Sequence, residues 1–178
     1  DTDFAVPDSS GIFHGKNGTG NVDIPTRATR KAEETSAVDF IIDCARKYGK
    51  DELVYVPTGP STNIDAAFAT APDIIDNITI VMMGGSLTQP GNCNPFMEAN
   101  VSMDPEASNR LFATSADITM IGLDVTMQVL LTKKETQQLR DTGTKAGTFL
   151  ADMTDYYIDI SEQEDPAFQG GCNLHDPL

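Results

Sequence analysis

The sequence predicts an α/β fold in which a mainly parallel sheet is covered by helices on both faces. Short β-rich apolar segments alternate with segments of helical periodicity, and no tight hairpin turn joins neighbouring strands. The 178 residues, 39% of them apolar, are enough for a sizeable core. We therefore expect one domain that spans residues 1–178.

The helices are predicted from apolar spacing and from capping residues. Residues 1–28 are rich in Gly, Pro, Asp and Asn, which predicts a loop. A helix is predicted to begin near Ser36, with Asp39 as its capping partner, and to end at Gly49. Further helices are predicted at residues 62–71, 106–113, 133–140 and 145–158.

The strands are predicted from short runs that are rich in β-branched and apolar residues. Buried strands are expected at residues 53–56, 78–83 and 118–123, and the tail after residue 158 is expected to be a loop. Ligands bind at the carboxyl ends of the strands in such sheets. We therefore expect the chemistry in the loops near residues 57–63, 84–100 and 124–126.

Charge and composition exclude several classes of partner. The formal net charge of -15 would repel a nucleic-acid polymer or an anionic membrane, whereas a neutral small molecule or a cation is compatible with it. No apolar run approaches the roughly 20 residues that span a bilayer. The cysteines Cys44, Cys93 and Cys172 form no C-x-x-C pair, which favours reduced thiols and a cytoplasmic location.

Six short motifs follow one another along nearly the whole chain. They are His14-Gly15, Val56-Pro57-Thr58-Gly59-Pro60-Ser61-Thr62-Asn63-Ile64, Met83-Gly84-Gly85 with Gly91-Asn92, Glu98-Ala99-Asn100 with Asp104-Pro105-Glu106-Ala107, Ile121-Gly122-Leu123-Asp124-Val125-Thr126, and His175-Asp176-Pro177. Each motif alone is weak, but together their order and spacing resemble the inosine-uridine-preferring nucleoside hydrolases. The resemblance covers the middle and C-terminal part of that Rossmann-like fold.

The resemblance implies hydrolysis of the N-glycosidic bond of a ribonucleoside to ribose and a free nucleobase. Such a reaction passes through a ribosyl cation-like transition state, so the enzyme must activate water, stabilise positive charge and assist the leaving base. In the family a calcium ion binds the nucleophilic water and two ribose hydroxyls, and calcium prefers six to eight oxygen ligands. The resemblance also implies a homodimer or homotetramer.

The roles of the family's site residues fall on matching positions of this chain. Asp176 matches a carboxylate ligand of calcium that also contacts the substrate, and Thr58 matches a backbone carbonyl ligand. The positions that match substrate-binding residues are Met83, Asn92, Glu98, Asn100 and Asp176. His175 and His14 match positions near the leaving base, where the near-neutral pKa of histidine suits proton donation.

Several residues also have purely structural interpretations. The spacing favours Asp104 as a helix N-cap ahead of Pro105, rather than as a site residue. Asp124 could be catalytic or could only orient neighbouring loops, and His14 could be a solvated loop residue. Asn100 begins an N-x-S/T sequence, but a ribose-binding asparagine cannot carry a glycan, and we favour ribose.

The chain departs from the family pattern at its aspartate cluster. Family members carry D-T-D-P-G-x-D-D, which supplies further calcium ligands and the base that activates water. Asp1-Thr2-Asp3 and Asp8 lack the Pro-Gly pair and the adjacent aspartates. We expect the chain to be part of a longer protein. Expressed alone, it should fold poorly because a sheet edge would be exposed, bind calcium weakly and hydrolyse nothing.

Two other functions are compatible with the sequence. The chain could come from a non-catalytic relative that binds a nucleoside or ribose but has lost the water-activating aspartates. It could also be an unrelated doubly wound domain, in which case Thr58, Asn92 and Asp176 would lie far apart.

Overall fold

The computed structural model describes residues 10–25, 29–164 and 170–178. The contacts divide the chain into two compact units. Among the described residues, unit 1 comprises 32–126 and 175–178, and unit 2 comprises 10–25, 29–31, 127–164 and 170–174. The single domain expected from the sequence stays a prediction, because a compact unit need not be an independent domain.

Short helices and strands alternate along the described residues. The helices are α1 Ser10–His14, α2 Ala37–Tyr48, α3 Thr62–Thr70, α4 Ala99–Met103, α5 Pro105–Phe112, α6 Leu123–Thr126, α7 Lys133–Asp141 and α8 Lys145–Glu164, with a 3-10 helix at Pro72–Asn77. The strands are β1 Val54–Tyr55, β2 Thr79–Met83, β3 Asp117–Ile121, β4 Leu130–Thr132 and β5 Gly171–Asn173. None of these helices is long and apolar enough to cross a membrane.

Unit 1 is built on a three-stranded parallel sheet with the strand order β1-β2-β3. Strand β2 pairs with β3 in a register that runs from Thr79 opposite Asp117 to Met83 opposite Ile121. The parallel pairing confirms the predicted sheet. The carboxyl ends of β2 and β3 therefore meet at one edge, and the segments that follow Met83 and Ile121 start side by side.

The predicted N-terminus of α2 is confirmed in detail. The Ser36 hydroxyl accepts a hydrogen bond from the Asp39 amide at 3.1 Å and donates one to the Asp39 carboxylate at 2.8 Å. Gly49 adopts a φ of 72° just past the last turn, which suits glycine. The apolar face of the helix buries Ile41 and Ala45 in the core of unit 1.

Strand β1 differs from the buried strand that the sequence predicts. It has only two residues, and Val54 and Val56 are 54% and 57% exposed. Leu53 and Tyr55 point the other way and pack against the core. The alternation of side chains along a strand explains this result, because a run of apolar residues does not reveal which face is covered.

Unit 2 contains elements that the sequence did not predict. Strands β4 and β5 pair antiparallel, with Leu130 opposite Asn173, so the tail that was expected to be a loop contains a strand. Helix α1 likewise lies in a segment predicted as a loop. All three elements have five residues or fewer, too few to display a helical or strand period.

Candidate active site

The polar segments of unit 1 gather where β2 and β3 end. The amide of Met83, the last residue of β2, donates to the Pro57 carbonyl at 3.2 Å. This bond brings the exposed Thr58 next to the end of β2. The Gly84 amide donates to the Ile121 carbonyl at 3.2 Å, and the Leu123 amide donates to the Gly85 carbonyl at 2.9 Å. Backbone hydrogen bonds therefore hold the start of the loop after β2 against the start of α6.

Asn100, on α4, contacts two other predicted site residues, Met83 and Asp176. Its Nδ2 lies 2.9 Å from Oδ1 of Asp176, 3.2 Å from the carbonyl oxygen of Met83 and 3.2 Å from the Met83 sulfur. Met83 is buried and Asp176 is exposed, so the amide lies at the boundary between the core and solvent. Asn100, Met83 and Asp176 thus form one cluster, although they are far apart in the chain.

Glu98 caps the N-terminus of α4 with its side chain, and the residue is buried, with 3% exposure. One carboxylate oxygen accepts a hydrogen bond from the backbone amide of Asn100 at 2.7 Å. The other accepts from the backbone amides of Val101 at 3.0 Å and Gly85 at 2.8 Å. The first amides of a helix have no partner within it and favour a negative charge. The sequence did not predict this structural role, because glutamate is not a preferred N-cap residue. The substrate role of Glu98 stays a prediction.

Asn92 lies in the loop after β2 and is hydrogen-bonded to the first residue of the same helix. Its Oδ1 accepts a hydrogen bond from the Ala99 amide at 2.9 Å. Because Ala99 directly precedes Asn100, the two asparagine side chains belong to one short stretch of structure. Asn92 is exposed, so a ligand can reach its side-chain amide.

Asp104 and Asp124 each hold backbone amides with their carboxylates. Asp104 accepts from the Ala107 amide at 3.0 Å and from the Thr62 hydroxyl at 2.6 Å, which confirms the predicted N-cap. Asp124 accepts from the amides of Leu87 and Thr88 at 2.7 and 2.8 Å, and also from the Thr88 hydroxyl. These bonds, led by the Thr88 hydroxyl, hold the pKa of Asp124 well below its usual range. Of the two interpretations of Asp124, the structure supports the one in which it orients a loop.

His175 is half-buried beside Asp176, and its ring is bonded to α6. Its Nδ1 lies 2.9 Å from the hydroxyl oxygen of Thr126. Burial lowers the pKa of His175, while the negative charges of Asp176 and Glu98 act in the opposite direction. The imidazole therefore has one nitrogen held by the protein and lies next in sequence to the carboxylate that contacts Asn100.

His14 belongs to unit 2, at the end of α1. Its ring stacks on that of Tyr157 with centroids 5.5 Å apart and an interplanar angle of 4°. The stacking orients the ring, but it does not test the proposed contact with a leaving base. The role of His14 stays a prediction.

The carboxylates of the described residues do not make a complete calcium site. Within the described ranges, no group of three or more His, Cys, Asp and Glu side chains could hold a metal ion. Asp176 offers a carboxylate, and Thr58 offers a carbonyl beside β2. Calcium prefers six to eight oxygen ligands, so these groups fit only as part of a larger set.

Comparisons with known proteins agree with the motifs. A family model described as inosine-uridine preferring nucleoside hydrolase matches residues 4–178. An inosine-uridine preferring nucleoside hydrolase of Leishmania major is 37% identical over 166 residues, which are 93% of this chain and 52% of that protein. Uridine nucleosidase 1 of Arabidopsis thaliana is 33% identical over 174 residues, which are 97% of this chain and 51% of that protein.

A solved structure is also similar to the chain throughout its length. The purine-preferring ribonucleoside hydrolase from Gardnerella vaginalis superposes with a TM-score of 0.93 and 60% identity, over 100% of this chain and 56% of that chain. The chain spans about half the length of the curated relatives that it matches.

Proposed function

Because the chain belongs to the inosine-uridine preferring nucleoside hydrolase family, we propose that the whole protein hydrolyses ribonucleosides to ribose and a free nucleobase. The observation that carries the proposal is the cluster of Asn100, Met83 and Asp176, because an amide, a carboxylate and a buried apolar side chain meet there. Such a cluster offers directional hydrogen bonds to hydroxyls next to an apolar surface, which suits a pentose ring.

The ribose contacts come from the end of β2, from the loop that follows it and from the start of α4. Asn92 and Asn100 bind ribose hydroxyls through their amides, and Met83 packs beneath the sugar. Glu98 retains capacity for a hydroxyl, because one of its carboxylate oxygens accepts a single hydrogen bond from the residues that the structure describes. The same carboxylate is held by backbone donors, so its position is set before the substrate arrives.

His175 assists departure of the nucleobase. Thr126 holds Nδ1, which leaves Nε2 of the ring to form a hydrogen bond with the base. A proton shared with the base as the glycosidic bond breaks makes the base a better leaving group. His14 is the second candidate for the same task.

Calcium is the proposed cofactor, held by Asp176 and the Thr58 carbonyl together with ligands from the rest of the protein. When bound, such a cation favours deprotonation of a coordinated water molecule. Asn100 keeps the Asp176 carboxylate in a fixed orientation. We further propose a cytoplasmic homodimer or homotetramer, as expected for this family.

Purine ribonucleosides are the proposed preferred substrates. The support is the 60% identity to a hydrolase whose name describes it as purine-preferring, against 33–37% identity to the inosine-uridine and uridine enzymes described above. The proposal predicts a higher kcat/KM for inosine, guanosine or adenosine than for uridine.

The test is to purify the whole protein and to measure ribose release from these four nucleosides in the presence of calcium. Asn100→Ala should lose most of the activity, while Asp51→Asn, a change at an exposed residue outside the site, should retain it. Nucleoside binding without ribose release would favour the non-catalytic binding relative. The proposal would be overturned if the protein neither bound any of these nucleosides nor released ribose from them.

A further inference from the structure

Thr126 ends the short helix that follows β3, and its position is determined by the backbone around it. Its amide donates to the Gly122 carbonyl at 3.2 Å, and the helix begins with the bond from the Leu123 amide to the Gly85 carbonyl at 2.9 Å. Thr126 itself is fully buried, at 0% exposure. The hydroxyl is therefore attached to a part of unit 1 that has little freedom to move.

His175 lies at the point where the chain returns to unit 1, and two contacts fix it. The Thr126 hydroxyl holds Nδ1 at 2.9 Å, and Asn100 holds the next residue, Asp176, at 2.9 Å. An imidazole ring held at Nδ1 presents Nε2 on its opposite side. The direction in which His175 can reach a ligand thus depends on a hydroxyl 49 positions earlier in the chain.

We propose that Thr126 is a positioning residue, which acts by orienting the His175 ring toward the leaving nucleobase. The inference rests on the proposed function, since it assumes that His175 assists the base. Its consequence is a selective effect on leaving groups. Loss of the Thr126 hydroxyl should slow the release of poor leaving groups and spare those that depart without a proton.

Two substrates distinguish a leaving group that needs a proton from one that departs without it. Inosine carries a purine that leaves poorly without a hydrogen-bond donor, whereas p-nitrophenyl β-D-ribofuranoside releases a stable phenolate unaided. Both present the same ribose to the rest of the site. The ratio of their kcat values therefore reports the contribution of the imidazole and is insensitive to a general loss of folded enzyme.

The variants are Thr126→Val, which removes the hydroxyl at nearly constant volume, and Thr126→Ser, which retains it. In the whole protein with calcium, Thr126→Val should lower kcat for inosine by roughly 10- to 100-fold, a part of the 10²–10⁴-fold typical of such proton donors. The kcat for the p-nitrophenyl riboside should stay close to that of the wild type. Thr126→Ser should restore most of the activity on inosine.

A double variant tests whether Thr126 acts through the histidine. In a His175→Ala background, Thr126→Val should cause no further loss on inosine, because the group that it orients is already absent. Should Thr126→Val fail to fold, Thr126→Ser and Thr126→Cys form a second pair, which differs only by oxygen against sulfur. The thiol is a weak hydrogen-bonding group, so the cysteine variant should reproduce the loss.

Equal losses on both substrates, or an additive loss in the double variant, would overturn the proposed orientation of His175. The proposed orientation would also be overturned if Thr126→Val hydrolysed inosine as fast as the wild type. If the wild-type protein cleaves the p-nitrophenyl riboside and inosine but Thr126 proves irrelevant, the hydrolase proposal still stands. If the wild type cleaves neither, the proposed function fails first.

Discussion

Nδ2 of Asn100 donates a hydrogen bond to Oδ1 of Asp176 at 2.9 Å, across 76 positions of the chain. The bond occupies one carboxylate oxygen and orients the other. It also ties the segment of unit 1 around Asp176 to α4, whose N-terminus is capped by Glu98.

Asp176→Asn should weaken calcium binding and hydrolysis together. The amide keeps the shape of the side chain but removes the negative charge that a hard cation requires. We expect calcium affinity to fall at least about tenfold, since even the loss of a residue that is hydrogen-bonded to a metal ligand has an effect of this size. Isothermal titration of the chelator-treated whole protein with calcium measures it, with Asp51→Asn as the unaffected control. Unchanged affinity would remove Asp176 from the proposed ligand set.

Glu98→Gln should destabilise the fold as well as the site. Glutamine offers one acceptor oxygen in place of two, and its NH₂ group would face backbone amides that now donate to Glu98. We expect a loss of about 1–3 kcal/mol in the free energy of unfolding, measured by urea denaturation. Glu106→Gln removes the same charge from a side chain that is 87% exposed, and should change stability by less than about 0.5 kcal/mol.

Asp124→Asn should have an effect that depends on pH. Because the folded pKa of Asp124 lies below that of the unfolded chain, its stabilisation is present above the unfolded pKa and is lost as the pH falls through the folded pKa. The difference in unfolding free energy between wild type and variant should therefore be constant near neutrality and narrow below about pH 4. A difference that stays constant on acidification would contradict this. Hydrogen exchange of the Leu87 and Thr88 amides should also accelerate in the variant.

Arg140→Met should destabilise unit 2 more than a matched change at the surface. Arg140 is partly buried, with 28% of its side chain exposed, and donates to Asp152 at 2.6 Å and to Asp155 at 2.7 Å. Its removal therefore leaves two carboxylates of α8 without that partner. We expect a larger loss in the free energy of unfolding than for Arg46→Met, which breaks the more exposed pair with Asp73. Equal losses in thermal denaturation would indicate that the cluster on α8 adds nothing beyond a surface pair.

Gly85→Ala should disturb the loop that precedes Asn92. Gly85 has a φ of +73°, and a Cβ there would lie 2.8 Å from the Met120 sulfur. Gly18→Ala provides the control, because Gly18 has nearly the same φ of +74° and open space around it. Both variants should lose about 1–2 kcal/mol for the left-handed backbone, and Gly85→Ala should lose more because of the contact. Equal losses would mean that Met120 moves aside without cost.

Local patterns account for the parts of the fold that the sequence predicted. The start of α2 depends on Ser36 and Asp39, three positions apart, and β2 is recognised from its own apolar run. Helix α5 begins behind the Asp104 N-cap, and α7 begins with a capping box of Thr132 and Glu135, so both starts depend on residues three positions apart. The short elements α4, α6, β4 and β5 carry no helical or strand period, and contacts with distant segments stabilise them instead.

The sequence by itself determined the family, the alternation of strands and helices, and the identity of the candidate site residues, because these depend on residue order and on short-range spacing. Only the tertiary structure decided that Glu98 accepts a hydrogen bond from the Gly85 backbone amide, that Asp124 holds the loop after β2, and that Thr126 meets His175. Their partners stand on different elements. A side chain's hydrogen bonds depend on which atoms folding brings within about 3 Å, and separation along the chain does not reveal that distance.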